Sequence, residues 1–319
     1  MSVDAGTIGL DVGGTKIAGA LVDASGAVTR RMTVPSPATD PEAIVAALAA
    51  LVEELRPSAE PIGVGAACAG YLDAERSMMR FAPNLAWRDF PLRSLLHDAT
   101  GLPVVIENDA DAAAYGELVH GAGRDAEDLV MVTLGTGVGG SVVHQRRIHR
   151  GAFGIGGELG HVRIERNGRR CGCGNLGCLE AYSSGTALLV QAREVVRTGG
   201  PAAAALIERC GGDPDQLRGT DVSALAEDGD AASVELLAEV GMWLGEGMAT
   251  VAAVLDPGFI VIGGGLSGAG DLVLGPARTA YKTHLTGRGY RPVARMVAAQ
   301  LGNDAGMIGA AALAREGSA

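Results

Sequence analysis

Three cysteines stand within the short stretch CGCGNLGCLEA, residues 171–181. With His161 upstream, Cys171, Cys173 and Cys178 offer one nitrogen and three sulfur ligands, a full tetrahedral set for Zn²⁺. A redox site would require C-x-x-C at the start of a helix that follows a strand, and the stretch has neither feature. A closed Cys₃His set leaves no position for water, so we expect a structural zinc. Unligated cysteines are the alternative.

Two carboxylates flank this candidate metal site. Glu158 precedes His161 by three residues, and Glu180 follows Cys178 by two. A zinc ion would fix both carboxylates, and His161 could bind it through one ring nitrogen and offer the other to a substrate. Carboxylates are usual partners of sugar hydroxyls because each can engage two of them. The group therefore predicts a sugar pocket with zinc as its framework.

A second candidate site is the sequence Glu107-Asn108-Asp109, which follows an apolar run and opens an alanine-rich segment. A carboxylate at the carboxyl end of a strand can act as a general base, and phosphoryl transfer to an alcohol needs one group that accepts the hydroxyl proton. Helix capping by Asn108 or Asp109 is an equally good interpretation of the local sequence. Asn84, in FAPNLAWRDF, is either a further sugar ligand or an ordinary loop residue.

Glycine-rich turns follow apolar runs at residues 11–16, 134–140 and 263–267. Backbone N–H groups of such turns can contact phosphate oxygens, and Asp11 would act on phosphate through a Mg²⁺ ion. The second turn precedes a strand-like run, whereas Rossmann and Walker motifs require a helix there, so both motifs are excluded. Each turn alone could be a simple tight turn, but together they predict a nucleotide cleft between two halves of the chain.

The elements that must position these motifs alternate between strands and helices. Strand, glycine turn and strand recur about 120 residues apart, from Thr7 and again from Leu129, which indicates two related α/β halves. Asp40 and Pro41 predict the start of a helix that ends at Leu55. Further helices are predicted near 109–118, 184–198, 230–255 and 271–286, and further strands at 61–70, 103–107, 259–267 and 294–300.

We expect a smaller N-terminal α/β domain at 1–108 and a larger one at 109–302 that carries the zinc loop. The C-terminal helix, at about 303–319, is expected to pack back onto the first domain.

The composition excludes several classes of protein. Net charge is −11, from 26 basic and 37 acidic residues. The sequence has no run of basic residues that would indicate nucleic-acid binding. No apolar run approaches the ~20 residues that a spanning helix needs, and the N-terminus lacks the pattern of a secretory signal. Five cysteines, an odd number, argue against a disulfide framework. We expect a reduced, cytoplasmic protein that binds neither nucleic acid nor membrane.

Taken together, the motifs resemble those of the ROK family of sugar kinases, in the actin-like ATPase superfamily, and most closely its actinobacterial-type ATP-dependent glucokinases. The resemblance covers essentially the whole chain. The matching segments, in family order, are LDVGGTK (10–16), ENDADAAAYGE (107–117), LGTGVGG (134–140), GELGH (157–161), CGCGNLGCLEAYSSG (171–185) and VIGGGLS (261–267). It implies an α/β actin-like ATPase (ribonuclease H-like) fold in which two α/β domains flank a cleft.

The resemblance also implies roles for individual residues. Asp109 would take the proton of the sugar 6-hydroxyl. The residues that would hold the other hydroxyls are Asn84, Asn108, Glu158, His161 and Glu180. Those that would surround Mg²⁺–ATP are Asp11, Gly13, Gly14, Thr15, Lys16, Gly135, Thr136, Gly137, Gly264 and Gly265. Zinc would sit on His161, Cys171, Cys173 and Cys178.

The expected activity is therefore phosphorylation of glucose at its 6-hydroxyl by ATP, in a homodimer or homotetramer. Kinases for mannose, N-acetylmannosamine, N-acetylglucosamine or fructose are the nearest alternatives, and polyphosphate is an alternative donor. ROK repressors carry a helix-turn-helix ahead of the first glycine turn, which here begins at Asp11 and leaves no room for one. A sugar-binding module without catalysis is a further class, against which Asp109 and the phosphate turns argue.

Overall fold

The computed structural model describes residues 6–56 and 61–317. Its strands are β1 Thr7–Val12, β2 Lys16–Val22, β3 Val28–Pro35, β4 Val64–Cys68, β5 Tyr71–Leu72, β6 Met79–Phe81, β7 Arg88–Phe90, β8 Val104–Asn108, β9 Leu129–Leu134, β10 Val138–His144, β11 Arg147–Ile148, β12 Phe259–Gly263 and β13 Arg295–Ala298. Its helices are α1 Pro41–Leu55, α2 Leu92–Thr100, α3 Asp109–His120, α4 Gly185–Thr198, α5 Ala204–Arg209, α6 Gly219–Glu227, α7 Ala231–Leu255, α8 Asp271–His284 and α9 Ala305–Gly317.

The first sheet has the strand order β3-β2-β1-β4-β8. Strand β1 is antiparallel to β2 but parallel to β4, and β4 is parallel to β8. Three strands therefore end at the same edge of the sheet, where Val12 pairs with Cys68 and Cys68 pairs with Asn108. This edge is where the sequence predicts the general base and the first glycine turn.

The second sheet has the order β11-β10-β9-β12-β13. Its first strand in the chain, β9, occupies the centre with β10 and β11 on one side, just as β1 has β2 and β3 beside it in the first sheet. Two sheets of the same strand order confirm the internal repeat that the sequence indicates. A third, small sheet has the order β5-β6-β7.

The last helix, α9, packs against β1, β4 and α3. Glycines allow this close approach, since a Cβ atom at Gly65 would lie 1.9 Å from the carbonyl oxygen of Ala310. A Cβ atom at Gly9 would likewise lie 2.0 Å from the oxygen of Met307. The C-terminal residues thus complete the packing of strands formed near the N-terminus.

Contacts divide the chain into two compact units. Unit 1 comprises Met1–Val130, Ser141–Gly157 and Gln300–Ala319, and unit 2 comprises Met131–Gly140 and Glu158–Ala299. These units divide the chain differently from the predicted domains, because α3 and the 141–157 segment group with unit 1. The domain boundary after Asn108 therefore stays a prediction.

Helix α1 has the ends that its sequence predicts. The Asp40 side chain accepts a hydrogen bond from the N–H of Ala43 at 3.0 Å, and Pro41 occupies the first turn. The sequence did not predict α2, α5, α6, β11 or the small sheet. Within residues 6–56 and 61–317, no helix is long and apolar enough to cross a membrane.

Candidate functional site

Two candidate carboxylates of unit 1 lie at the shared end of β1, β4 and β8. Asp11 lies near the end of β1, and Asp109 follows β8 directly. Burial raises the pKa of Asp11, and the charge of Lys16 opposes this shift. Burial also raises the pKa of the Cys68 thiol, and the charges of Asp109, Asp11 and Glu107 add to that increase. The charges of three acidic groups thus act on Cys68, at the end of β4.

Asn108 caps helix α3. Its Oδ1 accepts hydrogen bonds from the N–H groups of Ala110 at 2.9 Å and Asp111 at 3.1 Å, while its Nδ2 donates to the carbonyl of Gly70 at 3.2 Å. Both Oδ1 lone pairs are used, so one Nδ2 hydrogen is left to act on a substrate. Capping and substrate binding are therefore compatible, but only if Asn108 donates to the sugar.

Asp109 stands on the first turn of α3 with its side chain exposed. Its Oδ1 accepts from the N–H of Ala110 at 3.0 Å. Backbone N–H groups at a helix N-terminus favour the ionised form of a carboxylate. Asp109 thus presents an exposed carboxylate directly after β8, where the sequence predicts the general base.

The first glycine turn packs against the loop that carries Asn84. A Cβ atom at Gly14 would lie 2.8 Å from the Asn84 carbonyl oxygen and 2.9 Å from its Cβ. The N–H of Gly13 donates to the carbonyl of Lys16 at 3.1 Å, which closes the turn. The structure therefore brings Asn84 together with the turn at 11–16, and both belong to unit 1.

In unit 2, His161, Cys171, Cys173 and Cys178 converge, with one ligand atom of each lying within 4.8 Å of all the others. The Sγ atoms of Cys173 and Cys178 are 3.8 Å apart, and Cys171 Sγ is 3.6 Å from Nδ1 of His161. Ideal tetrahedral zinc would separate two sulfur ligands by about 3.8 Å, and a sulfur from a nitrogen by about 3.6 Å. The four residues fit a structural zinc.

Glu180 links this cluster to the second glycine turn. Its Oε2 accepts from the N–H of Val138 at 3.0 Å, and its Oε1 lies 3.4 Å from Cys171 Sγ. A Cβ atom at Gly137 would lie 2.4 Å from Glu180 Oε2, so only glycine permits this approach. Burial raises the pKa of Glu158, the charge of His161 lowers it and that of Glu180 raises it. Both flanking carboxylates therefore lie near the cluster.

The carbonyl groups of the second turn point at helix α4. Gly185 donates its N–H to the Gly135 carbonyl at 2.8 Å, and Thr186 donates both its N–H and its hydroxyl to the Thr136 carbonyl. In a trans peptide the C=O and the next N–H point in opposite directions, and the described residues contain no cis peptide. The N–H groups of Thr136 and Gly137 therefore point away from α4. Backbone N–H groups arranged in this way can donate to phosphate oxygens.

The third glycine turn lies beside the second. Gly264 has φ +82°, and a Cβ atom there would lie 2.5 Å from the carbonyl oxygen of Leu134. A cavity of about 620 Å³ adjoins the second turn and is lined in part by Thr136, Gly137, Glu180 and the α4 residues Val190 and Gln191. The sequence did not predict Val190 and Gln191 as cavity residues, because their spacing indicates only an ordinary amphipathic helix.

Sequence comparison identifies the family. The pattern of the ROK family matches residues 7–317. The chain belongs to the ROK family. Over 310 residues it is 46% identical to a glucokinase of Streptomyces coelicolor, with 97% of this chain and 98% of that protein covered. It is 35% identical over 319 residues to a glucokinase of Halalkalibacterium halodurans, with 97% and 94% covered.

A solved ROK family glucokinase from Streptomyces griseus, in complex with glucose and AMPPNP, superposes on the chain with a TM-score of 0.88. The two are 42% identical, and the match covers 98% of this chain and 100% of that one. The predicted ROK resemblance and the α/β actin-like ATPase fold are thereby confirmed.

The predicted site residues of this ROK protein fall into two sets. Those in unit 1 are Asp11, Gly13, Gly14, Thr15, Lys16, Asn84, Asn108 and Asp109. Those in unit 2 are Gly135, Thr136, Gly137, Glu158, His161, Cys171, Cys173, Cys178, Glu180, Gly264 and Gly265. Within each unit the members described above lie close together, and their roles remain predictions.

Proposed function

We propose that this protein is an ATP-dependent glucokinase that phosphorylates glucose at its 6-hydroxyl. The observation that carries the proposal is the full-length match to a ROK glucokinase crystallised with glucose and AMPPNP. The exposed carboxylate of Asp109 at the start of α3 supports it from this chain's own residues. Kinases for mannose, fructose or the N-acetyl hexosamines are the alternative.

In the proposed reaction, Asp109 accepts the proton of the 6-hydroxyl as the oxygen attacks the γ-phosphorus of ATP and ADP leaves. Asn108 donates its remaining Nδ2 hydrogen to a sugar oxygen. Glu158, Glu180 and Asn84 engage the other hydroxyls, because their side-chain oxygens can accept from sugar O–H groups. Rate enhancement comes mainly from holding the hydroxyl in line with the phosphoryl group.

The nucleotide is held, on this proposal, by the glycine turns. The N–H groups of Thr136 and Gly137 face the phosphates, and Gly264 and Gly265 lie by the nucleoside. Asp11 orients Mg²⁺, which neutralises phosphate charge during transfer. The raised pKa of Asp11 is consistent with a carboxylate that a cation must stabilise in its ionised form.

A zinc ion would be held by His161, Cys171, Cys173 and Cys178, and the chemistry it supplies is structural. Since Nδ1 of His161 is the ring nitrogen beside Cys171 Sγ, the Nε2 atom is left to contact the sugar. Glu180 is fixed at the same time by the N–H of Val138. The cluster thus orients two of the proposed sugar ligands without taking part in proton transfer.

Replacement of the base tests the proposal. We expect Asp109→Asn to reduce kcat by about 10³-fold or more, because the amide accepts no proton, while the Kd for glucose changes by less than about 3-fold. Asp98→Asn, an exposed carboxylate on α2, is the matched control and should keep wild-type kcat. A coupled assay and calorimetric titration measure both quantities, and near-normal turnover in Asp109→Asn would refute the role of the base.

A substrate panel separates glucose from the alternatives. The wild-type protein should show its highest kcat/KM with glucose among glucose, mannose, fructose and the two N-acetyl hexosamines, and ATP should exceed polyphosphate as donor. A higher kcat/KM for another hexose would replace glucose in the proposal. Light scattering of the same sample tests the proposed homodimer or homotetramer.

A further inference from the structure

A cluster of buried charges lies directly behind the Asn108–Asp109 corner in unit 1. Its centre is Glu107, the residue before Asn108 on β8, whose side chain is 1% exposed. Nε of Arg76 forms an ion pair with Glu107 Oε1 at 2.8 Å. Arg150 donates from both Nε and Nη2 to Glu107 Oε2, with the Nε contact at 2.8 Å. One carboxylate thus has two guanidinium partners.

Glu107 also holds the backbone of the corner itself. Its Oε1 accepts a hydrogen bond from the N–H of Asn108 at 2.9 Å. This N–H belongs to the peptide between Glu107 and Asn108, and Asp109 is the next residue along the chain. The Glu107 carboxylate therefore holds the peptide that enters the corner, one residue before the proposed base.

A second arm of the cluster reaches the body of α3. Arg76 donates from Nη1 to the Gly154 carbonyl at 2.8 Å and from Nη2 to Asp111 at 3.3 Å. Asp111 also accepts from the hydroxyl of Ser141 at 2.7 Å. The cluster therefore joins the 73–76 turn, β8, α3, β10 and the 150–154 loop through two acidic and two basic side chains.

Stability alone does not account for this arrangement. Asn108 already caps α3, so the helix does not need the cluster to begin where it does. Burying charges is costly, and an apolar set of similar volume often stabilises a protein at least as well. What paired guanidinium and carboxylate groups provide, and apolar side chains do not, is a fixed direction for each contact.

We propose that Arg150 and Glu107 are positioning residues that hold the Asn108–Asp109 corner in the orientation needed for proton transfer. This inference rests on the proposed kinase function, with Asp109 as the base. Arg150 is the informative residue because its side chain is 34% exposed, so its replacement leaves the apolar core intact. A displacement of the corner by about 1 Å is enough to reduce kcat by up to 10²-fold.

The test compares Arg150→Gln with Arg150→Lys. We expect Arg150→Gln to lower kcat about 10- to 100-fold with glucose while KM for ATP stays within about 2-fold. Arg150→Lys should recover part of kcat. Lysine restores the positive charge beside Glu107, but it does not restore the pair of hydrogen bonds from Nε and Nη2. Arg147→Gln, an exposed arginine on neighbouring β11, removes the same charge and should keep wild-type kinetics.

Glu107→Gln is the second variant, because glutamine keeps the shape of the side chain and removes its charge. It should reproduce the loss of kcat seen in Arg150→Gln. With an active wild-type protein, unchanged kcat in both folded variants overturns the positioning role and leaves the proposed function intact. A parallel rise of KM for glucose and ATP at constant kcat overturns it as well. Inactivity of the wild type toward every hexose instead overturns the proposed function.

Discussion

Two carboxyl groups on the first turn of α3 have opposite environments. Asp109 is exposed and accepts from a backbone N–H, whereas Asp111 is only 3% exposed. Burial raises the pKa of Asp111 to about 7, and the charge of Glu107 adds to the shift. The Ser141 hydroxyl and the charges of Arg76 and Arg150 oppose it. The two aspartate side chains thus differ in environment: Asp109 is exposed to solvent, and Asp111 is buried in the charge cluster.

The pKa of Asp111 predicts how stability depends on pH. In the unfolded chain its pKa is about 4, so between pH 4 and 7 the unfolded form ionises while the folded form keeps its proton. The contribution to stability is therefore full below pH 4, falls as pH rises and is lost above about pH 7. We expect wild-type unfolding free energy to fall by about 2 kcal/mol more than that of Asp111→Asn between pH 5 and 8.

Urea unfolding at the two pH values measures this difference. Asp98→Asn, on the exposed face of α2, is the control and should follow the wild type. Identical pH dependence in wild type and Asp111→Asn would show that Asp111 ionises normally in the folded protein.

At the scale of elements, the segment from Gly157 to Ser184 has little regular structure. Its helical pieces are the three-residue turns Leu159–His161 and Leu179–Ala181. Four potential metal ligands converge within it, so a zinc ion bound there would fix the segment. The proposed sugar ligands His161 and Glu180 both lie on these short turns, so their placement would depend on that ion.

Loss of one zinc ligand is therefore expected to act on sugar binding first. Cys173 is exposed, so Cys173→Ser creates no cavity but removes a thiolate ligand. We expect it to lose zinc and to raise KM for glucose more than KM for ATP, by about 10-fold for glucose. Cys210→Ser, at a buried cysteine outside the cluster, is the control and should retain one zinc per chain. Elemental analysis that finds no zinc in the wild type, or full zinc in Cys173→Ser, would contradict the metal assignment.

The elements that sequence predicts are those with local signals. Helix α1 begins at an Asp-Pro cap, and the glycine turns follow long apolar runs, so both could be predicted. Strands β5 and β6 have two and three residues, too few for a periodic pattern, and are stabilised by contacts such as the stacking of Tyr71 on Phe81.

The same contrast holds for the candidate site. The convergence of His161 with the three cysteines could be predicted because their types and spacing are specific within 18 positions. Arg76, Glu107 and Arg150 are far apart in the sequence, and arginine is an ordinary surface residue, so only the fold reveals that they meet. Sequence reasoning included Glu107 in a candidate site but did not predict its ion pairs with Arg76 and Arg150.

At the scale of the whole molecule, the chain returns to unit 1 twice after leaving it. The last return brings α9 onto β1 and β4, where Gly9 and Gly65 allow its backbone to approach. The core of unit 1 is thus built from both ends of the sequence. We expect the packing of this unit to be complete only when α9 is present.

The predicted domain 1–108 is consequently expected not to fold by itself. Without α9 and α3, the face of β1 and β4 that carries Gly9 and Gly65 has no covering helix, and its apolar surface is left in water. A chain that ends at residue 299 keeps α3 but lacks α9 and the segment 300–304, and it should lose cooperative unfolding of unit 1 as well. Circular dichroism and thermal unfolding of both fragments, with the intact chain as control, measure this. A sharp cooperative transition in 1–108 would establish the boundary after Asn108 as that of an independent domain.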